Sequence, residues 1–222
     1  EGSAAAAKAD RLQAKLEGSF AQIFVFPPPA GEAEHHLDGS EDDEVPGKAS
    51  NLKWAVGKVH QHFVQRGTTE LDRVVLTVAD ADCLFHPMYF SAVTADVLRM
   101  RQSGGGQQWA MWQAPQLPFR NYDMSPAPSR VWAYISSMYE FGGVSSLDAG
   151  CHHMVFSGYS VHLQLAAEAE LWDGDVIAED HHAYLKGFFF SAYTTGVKAA
   201  GKRLLGGASP VGCPPADRPW LC

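Results

Sequence analysis

Short apolar runs and longer amphipathic stretches follow one another along the chain, which is the pattern of an α/β protein. Residues 73–78 (RVVLTV) are β-branched, mostly apolar and too few for a helix with a face of its own. They predict a fully buried strand in the middle of a parallel sheet. Residues 20–26 (FAQIFVF), which stop at three prolines, predict a second strand, and residues 107–113 predict a third.

The longer stretches predict helices. Residues 3–17 are rich in strong helix formers. Residues 47–66 place apolar side chains on one helical face. Further helices are predicted at residues 87–100, 130–139 and 165–171, and from Glu179 onward. Polar or proline-rich segments at residues 30–46 and 114–128 are predicted loops.

Length and composition suit a single domain with a sizeable core, because 222 residues are 46% hydrophobic. We predict an N-terminal helical extension at residues 1–19, one domain at residues 20–200 and a loop-like tail at residues 201–222. The formal net charge of −8 argues against binding nucleic acid through bulk positive charge. No apolar run reaches the length of a membrane span, and the four cysteines follow no zinc or disulfide spacing.

Two carboxylates stand directly after the predicted strand at residues 73–78. Asp80 and Asp82 flank one alanine at its carboxyl end, where open α/β sheets bind their ligands. Strand alternation would point both side chains the same way. Hard divalent cations take oxygen ligands, so the pair suits Mg²⁺ or Mn²⁺ bridging the phosphates of a nucleotide. Such an ion would stabilise charge on a departing diphosphate.

Two more polar clusters stand at predicted helix starts. Residues 47–51 (GKASN) put Lys48 where backbone N–H groups favour anions, although a capped surface helix explains the same residues. Glu179 and Asp180 begin another helix, where carboxylates are favoured by the helix dipole. They are candidates for a general base or for simple caps. Gly158 lies in an apolar segment and indicates a bend or a close approach of backbone to ligand.

Four motifs in this order carry a resemblance: GKASN, VADADCLFHPMYF, FSGYSV and WDGDVIAEDHHAYLK. Together they resemble family 2 glycosyltransferases, the group that contains cellulose, chitin and hyaluronan synthases, over residues 47–190. The resemblance implies the GT-A fold, a Rossmann-like mixed, mostly parallel sheet flanked by helices. The family's first strand and nucleotide-base loop should precede residue 20, where the predicted helix stands. We therefore expect the N-terminal nucleotide-binding strand to be missing.

The resemblance implies inverting transfer of a sugar from a nucleotide-sugar donor, with a UDP-sugar favoured, to a hydroxyl of an acceptor such as a glycan. Lys48 would lie near the nucleotide, and Asp80 and Asp82 would hold the donor and its Mg²⁺ or Mn²⁺. Asp180 would deprotonate the acceptor, and Glu179 would position Asp180. The predicted sugar and acceptor site consists of Phe156, Ser157, Gly158, Ser160, Trp172 and His181, although Trp172 also suits the core.

The resemblance has departures. The Gln-x-x-Arg-Trp segment of the processive members does not follow Asp180, and no membrane helices follow. The sequence therefore leaves open a truncated catalytic core of a membrane-bound parent facing the cytosol, a non-processive relative, and a remnant that binds sugar or nucleotide without turnover.

A metal-dependent hydrolase is a rival interpretation. With Asp82 and Asp180, the histidines could in principle build a catalytic metal centre. None of them has the helical spacing of a zinc site, which counts against it. The histidines concerned are His35, His36, His152, His153, His162, His181 and His182.

Overall fold

The described residues form six α-helices and a three-stranded sheet, which confirms a mixed α/β class. The computed structural model describes residues 2–26, 47–102, 110–145 and 156–204, and side chains within residues 7–26, 47–102, 110–142 and 156–194. The strands are β1 (Val75–Val78), β2 (Met111–Gln113) and β3 (Tyr159–His162). The helices are α1 (Gly2–Leu16), α2 (Lys48–Gln65), α3 (Tyr89–Gln102), α4 (Ala127–Ser145), α5 (Leu163–Glu168) and α6 (Glu179–Leu204).

The described sheet has the order β1-β3-β2, and both pairings are antiparallel. The mostly parallel sheet is therefore not confirmed by the part of the chain that the structure describes. The fully buried central strand is β3, whose four residues are all buried. The strand before Asp80 is instead an edge strand, in which only Val78 is buried. An apolar run predicts a strand, but its neighbours and their direction are set by distant parts of the chain.

Two strand predictions change in the structure. Residues 21–26 form no strand; Phe24 instead packs its ring against His62 of α2, with ring centroids 4.7 Å apart. Of the predicted strand at residues 107–113, residues 111–113 form β2, and residues 107–109 lie outside the described chain.

The predicted helices are confirmed, with shifted ends. α1, α2 and α3 lie where the sequence predicts them, and the side chains of α1 that the structure describes, at residues 7–16, are almost all exposed. α4 begins earlier, with Pro128 in its first turn, and continues past Gly142 to Ser145. α6 continues to Leu204, so the first residues of the predicted tail are helical. Among the described helices, none combines the length and apolar character that a bilayer span needs.

Alternation along β3 divides the core into two parts. Tyr159 and Val161 pack with residues of α2, α5 and α6 on one face of the sheet. Ser160 and His162 point to the other face, where the Ser160 hydroxyl lies 2.9 Å from the Tyr89 hydroxyl and the His162 ring contacts Trp112. The sheet thus lies between α3 on one face and α2, α5 and α6 on the other. Its edge strand β1 lies beside the starts of α2 and α6.

His162 makes the stability of this core depend on pH. The residue is 3% exposed, and its Nδ1 atom has no hydrogen-bond partner within the described residues. Burial lowers the pKa of His162 to about 4, although the negative charges of Asp72 and Asp96 act in the opposite direction. The unfolded chain, with an ordinary histidine pKa near ~6.5, therefore binds more protons than the native state between these two values.

We expect this histidine to remove about 2 kcal/mol of stability between pH 7 and pH 5, because stability falls as pH drops below the unfolded pKa and levels off below the folded one. Urea unfolding of His162→Leu should show a correspondingly smaller loss over this interval. His60→Gln on α2 serves as the control and should keep the wild-type pH dependence. Equal pH dependence for His162→Leu and wild type would refute this role.

Candidate functional site

Two predicted site carboxylates from distant segments meet at a third predicted site residue, Lys48. Lys48 Nζ lies 2.6 Å from Asp80 Oδ1 and 2.8 Å from Glu179 Oε1. Lys48 and Asp80 are partly exposed, with 36% and 40% of their side chains accessible, whereas Glu179 is 8% exposed. Because both carboxylates contact one nitrogen atom, the acidic turn after β1 and the acidic start of α6 lie on the same side of the molecule.

Local structure explains why these side chains point together. Lys48 is the first residue of α2, where Gly47 has an extended backbone and donates its N–H to Ser50 Oγ at 3.3 Å. β1 ends at Val78, two residues before Asp80, and α6 begins at Glu179 itself. Two helix starts and one strand end therefore converge, and the N-terminal ends of both helices favour negative charge nearby.

The charges of this cluster stabilise one another. Burial lowers the pKa of Lys48, but hydrogen bonds to Asp80 and Glu179 and their negative charges raise it overall. The hydrogen bond from Lys48 and one from Ser157 hold the pKa of Asp80 below its usual value, although partial burial acts against them. Lys48 is therefore a permanent cation that ties a surface carboxylate to a buried one.

The segment from Asp80 to Asp82 is a turn and not the end of a strand. Cys83 N–H donates to the Asp80 carbonyl at 3.0 Å, and β1 has already ended at Val78. Strand alternation therefore does not apply to the two aspartates, and the expectation that it aligns their side chains is wrong. Asp80 is partly buried against Lys48, whereas Asp82 is exposed.

The segment just before β3 also contacts this cluster. Ser157 hydrogen-bonds to the Asp80 side chain, and the neighbouring Phe156 ring meets the His181 ring edge-on at 5.0 Å. Asp180 Oδ1 accepts the backbone N–H of His181 at 2.8 Å. The His181 Nε2 atom is buried without a hydrogen-bond partner among the described residues. The predicted base Asp180 and the predicted sugar-site residue His181 thus lie in the first turn of α6, and Phe156 packs against that turn.

Gly158 has the special backbone conformation that the sequence predicts. Its φ is +103°, a region that residues with a side chain rarely adopt. A Cβ atom at this position would meet Gln116 Nε2 at 3.3 Å and Cys83 Sγ at 3.6 Å. Gly158 therefore lets the chain turn from Ser157 into β3 while it lies against the acidic turn.

Two predicted sugar-site residues lie elsewhere. Ser160 is fully buried, and its hydroxyl bonds to Thr77 Oγ1 at 2.8 Å and to the Tyr89 hydroxyl. Trp172 is 3% exposed in the core, and its indole N–H donates to the Tyr159 hydroxyl at 2.9 Å. Neither side chain can contact a sugar in this structure. Strand alternation directs the Ser160 side chain to the face of the sheet that packs against α3. Trp172 lies in the core, which is the alternative that the sequence left open for it.

Tyr159 lies behind the acidic start of α6 and belongs to the FSGYSV motif that carries the resemblance. Its side chain is fully buried. Burial raises the pKa of Tyr159; the Trp172 hydrogen bond lowers it, while the charges of Glu179 and Asp180 raise it further. The Tyr159–Trp172 pair supports the start of α6 from the core. An apolar strand carries no pattern that assigns such a supporting role.

The described residues offer few ligands for a metal ion. They contain no group of three His, Cys, Asp or Glu side chains placed to hold an ion. Mg²⁺ in nucleotide sites is commonly held by one or two carboxylates together with substrate phosphates and water. Asp80, partly engaged by Lys48, and the exposed Asp82 therefore fit an ion that arrives with a nucleotide.

The histidines do not assemble a hydrolytic metal centre within the described residues. His162 is in the core, and His182 Nε2 lies 2.7 Å from Asp173 Oδ2, an oxygen that Lys186 also contacts. His35, His36, His152 and His153 lie outside the described residues, as does the acidic run at residues 41–44.

Arg120 is a second residue that sequence reasoning did not find. Its Nη1 donates to the Asp82 carbonyl at 3.0 Å from the loop after β2. That loop lies between prolines and has no periodic pattern, so no feature of the sequence connects it with the acidic turn.

Comparison of the chain with protein-family models, with curated proteins and with solved structures finds no match.

Proposed function

We propose that this protein is a metal-dependent inverting glycosyltransferase that moves a sugar from a nucleotide-sugar donor to an acceptor hydroxyl. The four ordered motifs and their resemblance to family 2 glycosyltransferases support this function. The observation that carries it is the contact of Lys48 with both Asp80 and Glu179. It means that residues given separate roles on donor and acceptor lie close enough to act on one molecule.

In this reaction the acceptor oxygen attacks the anomeric carbon from the face opposite the diphosphate. The new carbon–oxygen bond forms as the bond to the diphosphate breaks, and the nucleoside diphosphate leaves with the electron pair. Asp180 accepts the proton of the acceptor hydroxyl. Glu179, anchored by Lys48, fixes the first turn of α6 and hence the position of Asp180. His181 and Phe156 border the acceptor side of the site.

The nucleotide side of the site is the Asp80–Asp82 turn with Lys48. Asp82 is exposed and would hold, with Asp80, the divalent ion that accompanies the donor. When bound, Mg²⁺ or Mn²⁺ supplies positive charge that stabilises the leaving diphosphate. Asp80 is held against Lys48 and Ser157 and binds the ribose or sugar hydroxyls of the donor.

We expect the 222-residue chain to release nucleoside diphosphate from a UDP- or GDP-sugar in the presence of an acceptor and Mn²⁺ or Mg²⁺, and to stop when EDTA is added. Asp82→Ala should lower the rate by at least about a hundredfold, because metal stabilisation of the leaving group is worth several kcal/mol. A coupled assay for nucleoside diphosphate measures both effects across a panel of donors and glycan acceptors.

Asp123→Ala, an exposed aspartate in the loop after Arg120, is the matched control and should retain activity. Thermal shift with donor and Mn²⁺ measures binding independently of turnover. Donor binding without release under any acceptor would contradict the transferase and favour a protein that only binds nucleotide sugars. Tightly held zinc in the purified protein would favour hydrolysis instead.

A further inference from the structure

The guanidinium of Arg120 lies at the same turn that carries Asp80 and Asp82. Its Nη1 donates to the Asp82 backbone carbonyl at 3.0 Å, although the two residues are 38 positions apart in sequence. The side chain is exposed, and a guanidinium has five N–H donors. Within the described residues this is the hydrogen bond that Arg120 makes, so most of its donors can face a ligand at the turn.

The loop that carries Arg120 is joined to α4 by a hydrogen bond. Gln116 N–H donates to Glu140 at 3.2 Å, and Glu140 is 1% exposed on α4. Beyond Arg120, Tyr122 N–H donates to the Phe119 carbonyl at 3.1 Å, and the two rings meet edge-on at 5.4 Å. Arg120 therefore lies on a short hydrogen-bonded turn, four residues after the contact that ties its loop to α4.

The excess of negative charge at the candidate site explains why a cation at this position matters. The candidate site combines one lysine with four carboxylates, and Lys48 is already bonded to two of them. A diphosphate is itself an anion, so this site repels it unless further cations are present. A divalent ion compensates part of that negative charge. Arg120 is the additional cation that the described structure places against the turn.

We propose that Arg120 binds the diphosphate of the nucleotide donor. This inference rests on the proposed function and adds a donor-binding residue to it. A planar guanidinium pairs with phosphate oxygens through two parallel hydrogen bonds, which a lysine cannot reproduce. The Asp82 carbonyl orients the guanidinium, and its remaining donors engage the phosphate oxygens. Arg120 thus lowers the energy of the charged leaving group together with the metal.

The test compares a nucleoside diphosphate with its nucleoside, each in the presence of Mn²⁺. Arg120→Met should weaken UDP binding by about tenfold to a hundredfold, the range expected for charge-assisted hydrogen bonds, and leave uridine binding unchanged. The UDP affinity of Arg120→Lys should lie between those of Arg120→Met and wild type. The UDP affinity of Arg120→Met should also depend less on salt concentration. Calorimetry measures UDP, ligand-observed NMR measures uridine, and GDP with guanosine replaces this pair if wild type selects guanine.

Arg73→Met, at the opposite end of β1, is the matched control and should bind UDP as wild type does. If Arg120 only braced the turn, Arg120→Met would weaken nucleoside and diphosphate equally, and the proposal would be wrong. If wild type binds UDP tightly and Arg120→Met binds it equally well, the assignment of Arg120 is wrong and the proposed function is unaffected. Failure of wild type to bind either nucleoside diphosphate would overturn the assignment and the proposed function together.

Discussion

Replacing Lys48 with methionine is expected to lower the free energy of unfolding by about 2–3 kcal/mol. Methionine keeps the length of the side chain but removes the ammonium that contacts Glu179 at 2.8 Å. Glu179 is 8% exposed, so its carboxylate would remain largely desolvated without the cation that the structure places beside it. The expected loss lies below the range of about 3–5 kcal/mol for a fully buried pair because Lys48 is 36% exposed and solvent screens its charge.

The double variant Lys48→Met/Glu179→Gln should recover most of this loss, because the buried carboxylate is gone and a neutral amide takes its place. Urea unfolding of wild type, both single variants and the double variant gives the coupling energy. Lys58→Met on the same helix, whose ammonium lies over the Trp54 ring, is the control and should change stability little. Additive effects at Lys48 and Glu179 would show that the contact does not stabilise the fold.

The local parts of this architecture could be predicted from sequence. Helix formers and apolar period are properties of neighbouring residues, so α1, α2 and α3 lie where the pattern puts them. Gly158 is similar, because a backbone conformation that favours glycine is a property of a single position, and the φ of Gly158 is +103°. Helix starts are also local, and this is why the sequence could assign Lys48 and Glu179 to positions where charged side chains gather.

The pairing of strands could not be predicted in the same way. Residues 20–26 have a strand's composition but form no strand, and β1 is an edge strand although its sequence is that of a buried one. Hydrogen-bonded neighbours and their direction depend on contacts between residues far apart in the chain. The same limit explains Ser160, because placing it in the core requires knowing that β3 begins at Tyr159.

The convergence at Lys48 lies between these cases. Each contributing segment is chemically recognisable alone, but Asp80 and Glu179 are about a hundred positions apart, and only the fold joins them through one nitrogen atom. Arg120 shows the opposite situation, since its loop carries no recognisable pattern and its place beside Asp82 is visible only in three dimensions. Motif order thus singled out the residues that converge at Lys48 and gave no indication that Arg120 lies beside them.

Asp180→Asn is expected to reduce turnover by about a hundredfold to ten-thousandfold, the usual contribution of a general base. Asparagine has the same size as aspartate, and its carbonyl oxygen can still accept the His181 N–H that Asp180 Oδ1 accepts at 2.8 Å. It cannot take a proton from an acceptor hydroxyl. The start of α6 and the contact between Lys48 and Glu179 should therefore persist while the chemical step is lost.

Three measurements separate this outcome from structural damage. The variant should match wild type in urea midpoint and in affinity for nucleoside diphosphate with Mn²⁺, and it should differ in the rate of nucleoside diphosphate release. Asp175→Asn, an exposed aspartate in the turn before α6, should behave as wild type in all three. Wild-type turnover in Asp180→Asn would remove Asp180 from the reaction. Because Glu179 is bonded to Lys48, the described start of α6 would then offer no second carboxylate to accept the proton. A reaction in which α6 supplies the general base would therefore be excluded.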